Sequence, residues 1–311
     1  MRLWLLAGAI ALAGSLPAAD SELLSLAPPD AQVVAGVNVE QAKLSPIGQL
    51  LLTRTVGKAP DSGLQKLIDA TGFDPRRDIR EVLVAARPGT KSGVLLAHGT
   101  FDVPRITEAA LGAGGSSETY KGVTLIHAKA QQEKAVGFPD STIAIAGEAA
   151  EVRAAIDRRA APSAISPALA AQVSQLSASE DIWFVCTAPL SQLYPPPAAE
   201  PGKEVQNPMA VFYKVQQASG GLKLGTDLVL NMQVLLPTAQ DAATLVETVK
   251  SFLTQMAVVA PNTFRPAAEL LKNVDVTADG QVAKLSLIVP QNQVQEMLKQ
   301  GAAGRLFSAV P

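Results

Sequence analysis

Imidazole and thiol are almost missing from this sequence: its 311 residues include two histidines and one cysteine. A lone thiol cannot close an internal disulfide, and none stands near the N-terminus to carry a lipid. Durable zinc and iron sites draw three or four ligands from Cys, His and carboxylate groups at characteristic spacings. His98 and His127, on strands expected near each other in one sheet, supply only two, so a metal pair there is the lesser alternative and no cofactor is expected. Aromatic residues make up 4%, and 26 basic residues face 28 acidic ones. The positive excess and stacking platforms that nucleic acid requires are therefore lacking. Also lacking are a Gly-x-Ser-x-Gly nucleophile elbow and a Gly-x-x-x-x-Gly-Lys phosphate loop, which removes the readable routes to nucleophilic and phosphoryl-transfer chemistry.

Apolar residues, by contrast, are plentiful at 48%, and charged residues are held to 17%. A chain of this length and composition builds a sizeable core and is expected to hold two domains. Met1-Arg2, the apolar run Leu3 to Ala13 and the exit Leu16-Pro17-Ala18-Ala19 have the three parts of a secretory signal. Cleavage is expected after Ala18 or Ala19. The run is shorter than a bilayer-spanning helix, so a retained anchor is the lesser alternative and contact with the membrane is expected only through the signal. Loss of Arg2 leaves 25 basic residues against 28 acidic ones, a formal charge of −3. Export without disulfides fits a bacterial periplasm or exterior.

Leu222 to Leu236 carries the strongest pattern, with apolar residues at nearly every even position and mostly polar ones between them. That period predicts a strand packed on one side. Thr238 then caps an amphipathic helix through Leu245, Val249, Phe252 and Met256, and strands 274–277 and 282–289 flank an Asp279-Gly280 turn. The first half repeats this order with strand 94–101, a helix capped by Asp102, a hairpin turning at Lys121-Gly122, strand 142–146 and helix 148–159. The expected fold class is α+β, with two similar lobes, each an antiparallel sheet with helices on one face. The boundaries are a signal at 1–19, a first lobe at 20–160, a linker and helix at 161–180, a second lobe at 181–300 and a tail at 301–311.

Two polar or unusual stretches compete for attention as sites. Asp74-Pro75-Arg76-Arg77-Asp78 concentrates charge but reads as a capped turn with its own ion pairs. Between Pro189 and Pro208, Tyr194-Pro195-Pro196-Pro197 forms a stiff segment whose tyrosine could anchor a ligand or partner. Cys186, inside the apolar run Ile182 to Cys186, reads as a buried and inert thiol.

The opening Pro28-Pro29-Asp30-Ala31, the Thr71-Gly72-Phe73-Asp74-Pro75 turn with Asp78 just after it, and Gly99-Thr100-Phe101-Asp102 resemble a loose group of exported bacterial proteins of unknown function. The likeness covers mostly the first 150 residues and brings no reaction, ligand or catalytic residue with it. The function expected is that of an exported, non-catalytic protein binding a protein partner or a small apolar ligand. The alternative is an exported hydrolase whose site is assembled only in three dimensions. Oligomeric state is not expressed in the sequence.

Overall fold

The computed structural model describes residues 19, 21–56, 62–90, 92–161, 165–195, 208–259, 270–271 and 273–299. The signal segment before Ala19 and the tail after 300 lie outside them. Among the described residues twelve strands are formed: β1 (Val33–Asn38), β2 (Ile79–Ala86), β3 (Gly93–Gly99), β4 (Ser116–Tyr120), β5 (Val123–Ala128), β6 (Gln131–Phe138), β7 (Ile143–Glu148), β8 (Ile182–Cys186), β9 (Gln217–Leu224), β10 (Leu228–Leu235), β11 (Asp275–Asp279) and β12 (Val282–Val289). They make a single sheet in the order β11-β12-β10-β9-β8-β1-β2-β3-β7-β6-β5-β4. Helices and antiparallel strands together give the α+β class expected. The halves read as separate lobes are instead joined edge to edge, because β1 pairs antiparallel with β8, Val34 opposite Val185.

The long alternating segment is a hairpin and not one strand. Gly225 donates its N–H to the Asp227 carbonyl at 3.1 Å, and the chain turns there. Even positions still share a face, since Leu224 pairs with Leu228, Leu222 with Leu230 and Gly220 with Met232. The turn thus leaves the period-two pattern unbroken and hides itself. Strand β6 was also not legible: it opens on Gln131-Gln132-Glu133-Lys134, all exposed, and shows no apolar alternation.

Two layers of helix cover the sheet. On one face, helices Ser21–Leu26, Ala149–Ala160 and Pro167–Ser179 close over Val34, Leu83, Leu96, Leu125, Ile145 and Trp183, all 0–2% exposed. Helix 167–179 begins where Ser166 accepts the Leu169 N–H, with Pro167 in the first turn. On the other face, helix Ala239–Val259 covers β10 to β12 at one end, with Leu245 and Val246 buried against Val276 and Ala283. Helix Val103–Gly112 covers the opposite end through Val103 and Ile106, packed on Ala97, Ile126, Phe138 and Ala144. The first half therefore carries helices on both faces, where one was expected, because both sides of β3 and β7 are apolar. Helices Val39–Leu44, Pro46–Val56 and Gln291–Lys299 pack on the same face around Ile182, Leu224, Leu228 and Leu287, and the face stays exposed at Val84 and Leu95.

Candidate functional site

The roof over β10 to β12 does not touch the sheet everywhere. Beneath it lies a cavity of about 710 Å³ with an almost wholly apolar lining. Its floor is the even face of the hairpin, Ala218, Met232 and Val234, continued by Val33, Phe184 and Cys186 on one side and Val276, Ala283 and Leu285 on the other. Its roof is Leu245 and Val249 of helix 239–259 together with Phe212 and Val215. Thr238 starts that helix by accepting the Asp241 N–H at 3.0 Å, and Lys214 reaches Asp241 at 2.6 Å, so the roof is tied down at this end. Leu190, Leu193 and Tyr194 form the rim, and Tyr194 is 57% exposed.

Tyr194 thus stands at the mouth of this cavity. Pro195 beside it is exposed, and Pro196 and Pro197 lie outside the described residues. Cys186 is buried in the floor, and burial pushes its thiol pKa up, which keeps it protonated and unreactive. Most of the lining was not legible as a site. It is assembled from strands and helices far apart in sequence, each residue reading only as ordinary core.

The registers add a feature that no single strand reveals. Val276, Leu285, Met232, Gly220, Phe184, Ala35, Val84, Leu95, Ala146 and Val136 stand in one line across ten adjacent strands, on the cavity side of the sheet. No polar side chain interrupts it. The two ends of this row are roofed, but Val84 and Leu95 in its middle are 37% and 43% exposed. Beyond Leu95 and Ala146 the floor opens into a second recess rimmed by Thr90, Ser92, Glu133, Lys134 and Glu148.

The polar candidates sit elsewhere. His98 on β3 and His127 on β5 share the sheet but are separated by β7 and β6, so they do not converge. The His127 ring is already engaged: Nδ1 donates towards the Lys134 and Gln132 carbonyls at 2.9 and 3.1 Å, and Nε2 faces Glu118 at 3.4 Å. Among the described residues no three His, Cys, Asp or Glu side chains gather as a metal would need. In the Asp74 to Asp78 turn, the Arg76 guanidinium holds the Asp74 carboxyl below its ordinary range, and Arg77 does the same for Asp78. Asp74 also accepts the Arg76 N–H, and Asp78 the Asp74 N–H, so the cluster serves its own turn.

Glu180 and Asp181 meet at the sheet, on the face away from the cavity. Asp181 is 1% exposed and accepts from Lys223 Nζ at 2.8 Å and the Leu224 N–H at 2.7 Å. Glu180 lies across Gly221, where a Cβ would collide with it, and one of its carboxyl oxygens is buried without a partner. Among the described residues the partners of these acids are Lys223, the Leu224 N–H and Asn231, with no hydroxyl or thiol among them.

One crystal form of the treponemal protein TP0453 has a similar arrangement of elements, at 10% identity over 89% of this chain and 94% of that one, with a TM-score of 0.50. The fold is similar to that of TP0453. The other crystal form of TP0453 matches at 12% identity over 91% of this chain and 98% of that one, with a TM-score of 0.49. At such identity the likeness to TP0453 is one of backbone, and no residue is carried across. No protein-family model matches the sequence, and no curated protein matches it. Among the described residues no helix is long and apolar enough to cross a membrane.

Proposed function

We propose that this is an exported, non-catalytic binding protein that takes a small apolar ligand in the cavity beneath helix Ala239–Val259. The observation that carries this reading is the cavity itself: about 710 Å³ lies within the size range of ligand sites, and its lining is apolar with one phenol at the rim. Natural cores are packed to crystal density, so an apolar space of this size is costly to leave between a sheet and its roof. Export is supported by the N-terminal pattern, and cleavage after Ala18 would leave Ala19 as the first residue. Its backbone nitrogen donates to Ser177 Oγ at 2.8 Å, which holds that end against the body.

The test uses N-phenyl-1-naphthylamine, a neutral probe that fluoresces in apolar surroundings. Saturable enhancement at one site per chain is expected, together with a higher melting temperature when the probe is bound. Ala218→Phe, which fills the floor, abolishes both while the far-ultraviolet circular dichroism is retained. A native protein that shows neither saturation nor a rise in melting temperature sinks the reading. Turnover of a nitrophenyl ester with no stoichiometric complex would favour the hydrolase alternative.

A further inference from the structure

We infer that the cavity is the closed end of a longer site, one shaped for a single-chain amphiphile whose tail lies in the cavity and along the open apolar strip and whose polar head rests beside Lys134. The inference rests on the cavity reading above and names the class of ligand. Three observations carry it. First, Phe184 in the cavity floor continues through Ala35 and Val84 to Leu95 and Ala146 without a polar side chain, by direct strand registers. At about 4.8 Å between strands that path is about 19 Å long, the scale of an extended acyl chain and far longer than a compact aromatic ligand needs. Second, Val84 and Leu95 are large apolar side chains left exposed along that path, Leu95 in the wall of the second recess, and they are flanked by two roofed segments of the same row. Third, polarity changes along the path: the cavity end is roofed and apolar, whereas the far end is more open and carries the exposed Lys134 and Glu133 with Thr90, Ser92 and Glu148. An apolar chain that ends in a hydrated head matches that gradient in one orientation only, because burying an unpaired polar head in the cavity would be costly.

The probe is hexadecylphosphocholine, used below its micelle concentration to displace N-phenyl-1-naphthylamine from the intact protein. Val84→Gln combined with Leu95→Gln wets the strip at positions already exposed, and Leu95→Gln alone serves if the double variant does not fold. Each methylene taken from water tightens binding about fourfold, so a strip made polar should weaken hexadecylphosphocholine at least about tenfold. N-phenyl-1-naphthylamine affinity should stay unchanged in the same variants. Equal hexadecylphosphocholine affinity in native and variant proteins, with the small probe still binding, overturns the strip and leaves the cavity reading intact. Absence of binding by the small probe in the native protein removes the cavity reading, and this inference falls with it. A native dimer in sedimentation velocity that the double variant dissociates assigns the strip to a second copy of the chain and also overturns the proposal.

Discussion

Glu180 ends helix Pro167–Ser179, donating its N–H to the Leu176 carbonyl at 2.8 Å, and then turns its side chain across Gly221. It is 8% exposed, and burial pushes its pKa up, with an Asn231 hydrogen bond opposing the shift. A carboxyl whose folded-state pKa lies above its unfolded value contributes stability that is complete below the ordinary carboxylate range and is lost as pH rises through the raised value. Glu180→Gln keeps an acceptor for Asn231 and never ionises. The variant should therefore melt at a higher temperature than the native protein at pH 7, and the gain should vanish near pH 4. A gain that is equal at both pH values, or a loss at pH 7, shows that the charged form is accommodated and the orphaned oxygen carries no cost. The adjacency of Glu180 and Asp181 was visible in the sequence. Their separate fates were not, because Lys223 reaches Asp181 only after the β8–β9 ladder has formed.

Turns and caps are the elements that the residues declare most directly. Asp74, Asp102 and Thr238 each accept the backbone N–H that their spacing foretells, and Lys121-Gly122 turns the β4–β5 hairpin with both residues at positive φ, 48° and 83°. A Cβ at Gly122 would meet nothing within 4 Å, so Gly122→Ala reports backbone conformation alone, at a cost of about 1–2 kcal/mol. Gly112, which ends helix Val103–Gly112, also has open space around it, but it is helical. Gly112→Ala should therefore stabilise by about 0.5–1 kcal/mol. Urea midpoints moving in opposite directions would bear this out, and shifts of one sign would refute it. What the local pattern could not declare was pairing at a distance. The β9–β10 turn preserved the alternation and so read as continuous strand, and β6 lacks an apolar period at its exposed start. The cavity lining was legible only as core, residue by residue.

At the scale of the whole molecule, the join between β1 and β8 decides how the chain behaves. The largest core cluster takes Leu23, Leu83 and Ile145 from one half and Leu169, Trp183 and Val185 from the other. A cut in the Ala- and Pro-rich linker at 162–164 should accordingly leave both fragments in one particle, co-eluting in gel filtration and melting in one transition. Fragments that part without denaturant would show two independently folded bodies. Among the described residues the same long sheet ends at β4 and β11, and a sheet edge is an invitation for another molecule to add strands. Asp275 and Asp279 stand symmetrically about Thr277 on β11. Two copies meeting there antiparallel about a two-fold axis at Thr277 would set Asp275 of each opposite Asp279 of the other, carboxylate against carboxylate, at both ends of the new ladder. Like charges set directly opposite are destabilising, so this symmetric pairing of β11 with its own duplicate is disfavoured.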